Sequence, residues 1–108
     1  MRRARPSVMD DANLVRVLKA LADPKRFRMV QEVAQAGELS CGQVGGGFGL
    51  SQPTISHHLK ILCDAGVLRV REEGQHHFIT VDRELMASVG GALPARLAPS
   101  KRRARARR

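Results

Sequence analysis

The spacing of apolar residues changes at Gly66, and this change constrains the fold more than any other feature of the chain. Before Gly66, apolar residues recur every three or four positions, as on amphipathic helices. After it, β-branched and apolar residues cluster in two short segments, residues 67–71 and 76–81. The polar stretch 72–75 between them predicts a turn, so the two segments should form a β-hairpin. A mainly α-helical chain with one small β-hairpin is expected.

Four helices are expected before the hairpin, and helix-start signals place them. Asp23 followed by Pro24 is a typical start, because Asp caps the first turn and Pro lacks an N–H that would be unpaired there. Ser51 is expected to cap the fourth helix, and three glycines at 45–47 weaken the third, each costing about 1 kcal/mol relative to Ala. The predicted helices span residues 11–22, 24–36, 40–48 and 52–65. Their predicted inward residues are Leu14, Val17, Leu18 and Leu21; Phe27, Val30, Val33 and Ala34; Cys41, Val44 and Phe48; and Ile55, Leu59 and Leu62.

A last helix is expected after the hairpin, and Asp82 is its predicted cap. Leu85, Met86 and Val89 would form its apolar face. Glycines at 90–91 and Pro94 follow, so this helix is predicted to be short or frayed. The folded domain is accordingly expected over residues 10–93, between disordered tails at 1–9 and 94–108.

The net charge of +9 comes entirely from the two ends of the chain. Residues 10–100 contain ten basic and ten acidic side chains, whereas the amino-terminal end adds three arginines and the carboxyl-terminal end adds six basic residues. Such tails bind polyanions by releasing counterions, although they could also be solubilising ends or favour an anionic membrane surface. Because no amphipathic anchor or lipidation motif accompanies them, nucleic acid is the favoured partner.

The remaining composition argues for a soluble, cytoplasmic single domain of 108 residues. No apolar run approaches the roughly 20 residues that span a bilayer, and an acidic pair at 10–11 interrupts any secretory signal. Two cysteines are too few for a disulfide framework and fit a reducing compartment.

The order of segments predicts a winged helix-turn-helix. Two short helices joined at 49–51 are followed at once by the hairpin, which would be the wing. The fourth helix would present its polar face to the major groove, where Gln, Ser, Thr and Lys contact base edges or phosphates, and the hairpin would touch the adjacent backbone or minor groove. The candidate DNA-binding residues are Ser51, Gln52, Thr54, Ser56, His57 and Lys60 on the helix, and Arg71, Gln75 and His76 on the hairpin.

The same residues resemble the ArsR-type transcriptional repressors over about residues 14–81. The resemblance rests on LADPKRFR at 21–28, ELS at 38–40, LSQPTISHHLKIL at 50–62 and AGVL at 65–68. It implies a homodimeric winged helix-turn-helix repressor that binds a pseudo-palindromic operator as double-stranded DNA. It also implies a dimer interface made by the first and last helices, and release of the DNA by a chemical signal.

Many members of this family sense metals, but the metal-ligand patterns of the family are not found in this sequence. Cys41 stands alone where a thiolate site needs at least two Cys, and no His follows position 77 for a site on the last helix. His57 is expected to face DNA and His58 to pack, so no metal and no cofactor are predicted. Cys41 and Cys63 form a possible redox pair, although small buried apolar residues are the more common role for such cysteines.

Two other functions compete with sequence-specific regulation. The chain could be a non-specific nucleic-acid-binding module whose basic tails supply most of the affinity. It could also be an enzyme, but Ser56 and His57 are neighbours on a helix surface with no third group to orient the base. Catalysis is therefore not expected.

Overall fold

Each helix begins at a side-chain cap that the sequence supplies. In the computed structural model, which describes residues 9–100, the elements run α1 (Asp11–Leu21), α2 (Pro24–Ala36), β1 (Leu39–Ser40), α3 (Gln52–Asp64), β2 (Leu68–Glu73), β3 (His76–Val81) and α4 (Arg83–Leu97). The caps of α1 to α4 are Asp10, Asp23, Ser51 and Asp82, each accepting from the backbone N–H three residues later at 2.8, 3.0, 3.4 and 3.0 Å. These bonds satisfy N–H groups that a helix start would otherwise leave unpaired.

The predicted hairpin is confirmed. Its first strand ends at Glu73 rather than at residue 71, so the turn is shorter than predicted. β2 and β3 are antiparallel and paired from Leu68 with Val81 to Glu73 with His76, which leaves a two-residue turn. Gly74 occupies that turn at a φ of 63°, a left-handed conformation that favours glycine. The short strand β1 was not predicted from the sequence; it pairs with the other side of β3 and completes a sheet of order β1-β3-β2.

The core lies where α1, α2 and α3 meet the base of the hairpin. It is built from aliphatic residues and methionine, and most of the predicted inward residues of α1 and α3 are buried. In α2 the predicted face was partly wrong, because Phe27 is 50% exposed and Ala34 is exposed as well. Met29 and Val33, which are four residues apart and both fully buried, form the buried face of α2 instead. In a helix with this buried face, Phe27 points towards solvent.

The predicted helix over residues 40–48 is wrong. Residues 41–49 form successive turns, held by three-residue backbone bonds such as Gln43 N–H to the Ser40 carbonyl at 3.0 Å. Gly45 and Gly49 have φ values of 80° and 68°, which a right-handed helix excludes. The residues of this segment that face the core were nevertheless predicted correctly. Val44 is buried, and the flanking Cys41 and Phe48 pack against the core.

The predicted short last helix is also wrong, because α4 continues for 15 residues through both glycines and Pro94. Two attachments hold it. Its apolar side, including Leu85 and Leu93, packs against the core, and near its end Arg96 donates to the Asp11 carboxylate and to the Met9 carbonyl. Met9 itself is buried, so the packed region extends beyond both ends of the predicted 10–93 domain. Of the predicted tails, 1–9 and 94–108, residues 1–8 and 101–108 lie outside the described residues.

Within the described residues 9–100, no helix is both long enough and apolar enough to cross a membrane.

Gly45 gives a direct test of the segment that replaces the predicted third helix. A Cβ added at Gly45 would lie 3.1–3.4 Å from three Ile55 side-chain atoms, on a backbone that L residues rarely adopt. Gly45→Ala should therefore lower the free energy of unfolding by about 1–3 kcal/mol in denaturant titrations. Gly47→Ala is the matched control, since its Cβ would meet nothing within 4 Å and it should change stability by less than about 0.5 kcal/mol. Equal effects at the two positions would contradict this assignment.

Candidate nucleic-acid interface

Helix α3 is held to the body by one side only. Ile55, Leu59 and Leu62 are buried with exposed fractions of 4%, 8% and 0%, and they form its inner stripe. The opposite side is free of the protein body: the predicted DNA-contacting residues Gln52, Thr54, Ser56, His57 and Lys60 are all exposed. A helix with one anchored apolar stripe and one projecting polar face has the shape that enters a major groove.

The glycine-containing loop, residues 41–49, packs against the start of α3. Gly45 lies against the Ile55 side chain, and its N–H donates to the Glu32 carboxylate on α2 at 3.2 Å. Because the absence of a Cβ permits this close approach, the loop can pack directly under the first turn of α3. The position of α3 thus depends on a loop conformation that favours glycine.

Arg26 connects the three helices that surround the interface. Its guanidinium donates to the carbonyls of Ala20 at 2.7 Å and Lys19 at 3.3 Å, where the carboxyl-terminal end of α1 carries partial negative charge. The same group lies 3.4 Å from Nδ1 of His58 on α3. His58 is half-buried, as expected for a packing residue, whereas His57 is exposed.

At the start of α3, two of the predicted contact residues hydrogen-bond to each other. The Ser51 and Thr54 hydroxyls lie 2.9 Å apart, and Ser51 Oγ also accepts the Thr54 N–H. Both side chains therefore stabilise the helix start, and their remaining hydrogen-bonding capacity points to solvent. Gln52 and Ser56 have no side-chain hydrogen bond within the described part of the chain.

Two of the predicted contact cations are already paired with carboxylates. Lys60 forms an exposed ion pair with Asp64 at 3.0 Å, one helical turn away. Arg71 on the wing contacts Glu38 at 3.0 Å and Glu73 at 2.8 Å. The hydrogen bonds that Arg71 donates to Glu38 and, to a smaller extent, to Glu73 raise the pKa of Arg71 above its usual value. The pair with Glu38 also fastens the wing to the segment before β1.

The tip of the wing presents the other predicted contacts. Gln75 lies in the two-residue turn and His76 begins β3, and both are exposed. Phe78 is half-buried beneath them: its ring lies 6.1 Å from the His76 ring and 4.7 Å from the Arg71 guanidinium carbon. The wing is therefore a stiffened hairpin whose projecting end carries polar side chains.

The two thiols lie at the side of the interface rather than on it. Cys41 and Cys63 are free and half-buried, and both pack against the core. Burial raises the pKa of each thiol above its usual value, and the nearby Cys41 and Asp64 raise that of Cys63 further. A raised pKa disfavours the reactive thiolate at neutral pH. Among residues 9–100, no group of three His, Cys, Asp or Glu side chains is arranged to hold a metal ion.

The fold and this projecting helix define a winged helix-turn-helix DNA-binding protein, and comparisons with known proteins agree. A family described as "Helix-turn-helix domain" matches residues 21–71. The transcriptional repressor SdpR of Bacillus subtilis is 33% identical over 65% of this chain and 77% of its own length. The arsenical resistance operon repressor of Staphylococcus xylosus is 33% identical over 72% and 74%, respectively. The structure of HlyU from Vibrio cholerae superimposes with a TM-score of 0.63 at 32% identity, over 76% of this chain and 91% of HlyU.

The chain belongs to the ArsR family of winged helix-turn-helix repressors, and the predicted fold class is confirmed. It is a DNA-binding transcriptional regulator, a class that is distinct from enzymes.

The raised pKa values of the two thiols predict slow alkylation in the folded protein. At neutral pH, iodoacetamide should alkylate Cys41 and Cys63 several-fold more slowly in the native chain than in the same chain unfolded in denaturant, because burial lowers the thiolate fraction and the access of the reagent. Mass spectrometry of each cysteine-containing peptide measures the two rates. Alkylation of either thiol that is faster in the native chain would contradict this prediction and would favour the redox-pair hypothesis.

Proposed function

We propose that this regulator is a homodimeric repressor that reads a pseudo-palindromic operator with α3 and is released from it by a chemical signal. The observation that carries the proposal is the one-sided anchoring of α3, which leaves its polar face projecting from a fixed position. Two such helices, related by two-fold symmetry, would enter successive major grooves of double-stranded DNA, and the operator would mirror that symmetry.

Within α3, Gln52 and Ser56 are the proposed base-reading residues. Their side chains are exposed and are not used for capping or ion pairing within the described residues, in contrast to Ser51 and Lys60. Gln can form two hydrogen bonds with adenine, and a Ser hydroxyl can bond to a base or a phosphate. His57 and Thr54 would complete the contacts along the groove, and the tip of the wing, with Gln75 and His76, would approach the flanking backbone or minor groove. Arg71 and Lys60 would join those contacts by exchanging a carboxylate for a phosphate.

The dimer is proposed to form through α1 and α4, as the family resemblance implies. Val15 on α1 is 48% exposed and Leu97 at the end of α4 is 75% exposed, so both apolar side chains are accessible to a partner. No residue of α4 is fully buried, although its apolar side packs partly on the core. A groove along α4 is lined by Met9 and Arg96 together with five small residues of the helix, beside which a second helix could approach closely: Ala87, Ser88, Gly91, Ala92 and Ala95.

The basic tails are proposed to add affinity without sequence preference. The chain between them has a net charge of zero, so most of the attraction for phosphate at long range would come from the nine surplus charges at its ends. The tails would hold the protein near DNA while α3 selects the site.

A signal that reached Cys63 would disturb binding directly, because this residue lies in α3.

The base-reading proposal predicts a loss of discrimination. Gln52→Ala and Ser56→Ala should each lower the preference for the DNA upstream of the regulator's own gene, over a shuffled duplex, by about 1–3 kcal/mol per lost base contact. Fluorescence anisotropy at near-physiological salt measures both affinities. Gln31→Ala, an exposed substitution on α2, is the control and should leave the preference unchanged. If both α3 variants weaken the two duplexes equally, base reading by these residues is wrong.

The dimer proposal predicts a shift in mass. Val15→Glu should move the protein towards the monomer in sedimentation equilibrium, because a carboxylate would be buried without a partner in the interface. Gln31→Glu adds the same charge on an exposed position of α2 and should leave the dimer intact. Unchanged dimerisation of the Val15 variant would exclude α1 from the interface.

A further inference from the structure

We propose that a cleft at the start of α2 is a second DNA-binding site, which holds a backbone phosphate beside the groove entered by α3. The proposal rests on the DNA-binding function above and names residues that the sequence pattern had not assigned to DNA. The cleft has a volume of about 260 Å³ and is lined by Pro24, Lys25, Arg28, Gly47 and Phe48. It combines two cations with an aromatic wall and the backbone of the glycine loop.

The two cations of the cleft are electrostatically available. Within residues 9–100, neither Lys25 nor Arg28 has a carboxylate within ion-pair distance. By contrast, Lys60 and Arg71, which the sequence suggested as DNA contacts, are both paired with carboxylates. A phosphate approaching the cleft therefore meets two cations that form no ion pair, whereas at Lys60 or Arg71 it must displace a carboxylate.

Phe48 gives Arg28 a defined position. The Arg28 guanidinium carbon lies 5.7 Å from the centre of the Phe48 ring, within cation–π distance, and Phe48 packs against the core. This contact uses no N–H group of the guanidinium, so its donors can bond to phosphate oxygens.

One wall of the cleft leads directly into α3. Gly47 and Phe48 lie in the loop before this helix, and Phe48 precedes its cap, Ser51, by three residues. When α3 occupies a major groove, the sugar–phosphate backbone that borders the groove runs along the sides of the helix. The amino-terminal end of α2 is already capped by the Asp23 carboxylate, so the attraction of the cleft for a phosphate rests on its two cations.

The shape of the cleft favours a continuous backbone over a small effector. Pockets for small molecules are typically enclosed, and they bury most of the ligand surface. This cleft is open to solvent and shallow, so a small anion would remain largely hydrated there. A DNA strand that is already held by α3 brings its phosphate to the cleft at high effective concentration and needs little enclosure.

The test removes the two charges and measures salt dependence. In the full-length chain, Lys25→Gln with Arg28→Gln should reduce the magnitude of the slope of log K against log salt concentration by about 0.9, since the cleft holds one phosphate and each phosphate contact contributes about 0.9. The control pair is Arg16→Gln with Lys19→Gln, which removes the same charges from a groove between α1 and the carboxyl-terminal end of α3 and should reduce the slope clearly less. Circular dichroism checks that both variants fold.

Measurements on the upstream and the shuffled duplex separate this proposal from the regulatory function. A wild-type chain that prefers neither duplex would contradict sequence-specific regulation, and the slope comparison would still decide whether the cleft binds phosphate. Equal slopes for the two double variants would overturn the cleft proposal and leave regulation standing. If the slopes are equal and inorganic phosphate shifts the NMR signals of Lys25 and Arg28, the occupant is a small anion, and the proposal is likewise overturned.

Discussion

The burial of one side of α3 is the interaction on which the rest of the structure depends. Ile55, Leu59 and Leu62 transfer their apolar surface into the core, and this burial fixes both the position of the helix and the direction of its polar face. The other features of the site serve the same arrangement. Gly45 allows the loop to pack against Ile55, and Arg26 joins the end of α1 to His58.

Charge is distributed so that affinity and selectivity have different sources. Several basic side chains of the body are matched by nearby carboxylates, as Arg71 is by Glu38 and Glu73, and the body is neutral as a whole. Paired cations steer a polyanion weakly, so attraction at long range falls to the tails. In this proposal, selectivity rests on short-range contacts from α3 and the wing, and the cleft at the start of α2 adds a phosphate contact that positions the helix.

Features encoded by neighbouring residues could be predicted from the sequence. Helix caps such as Asp23 and Ser51 act within three residues, and the hairpin follows from local β propensity and a turn, so these elements were found. The exposure of Gln52 and Ser56 follows equally from the helical period of α3.

Features that depend on contacts between distant residues could not be predicted in this way. The strand β1 exists because Leu39 meets Ile79, and α4 continues past Pro94 where Leu93 packs against the core and Arg96 contacts Asp11, 85 residues earlier. The pairing of Arg71 with Glu38 spans 33 residues. Patterns within a single segment carry no record of contacts between such distant residues.

On this proposal the folded body, rather than the tails, reads DNA sequence. Selection from a pool of random duplexes with residues 9–100 alone, which have a net charge of zero, tests this. We expect enrichment of one motif with approximate two-fold symmetry and half-sites about one helical turn apart. Binding without enrichment of any motif, or enrichment only when the basic tails are restored, would show that the folded body does not read sequence.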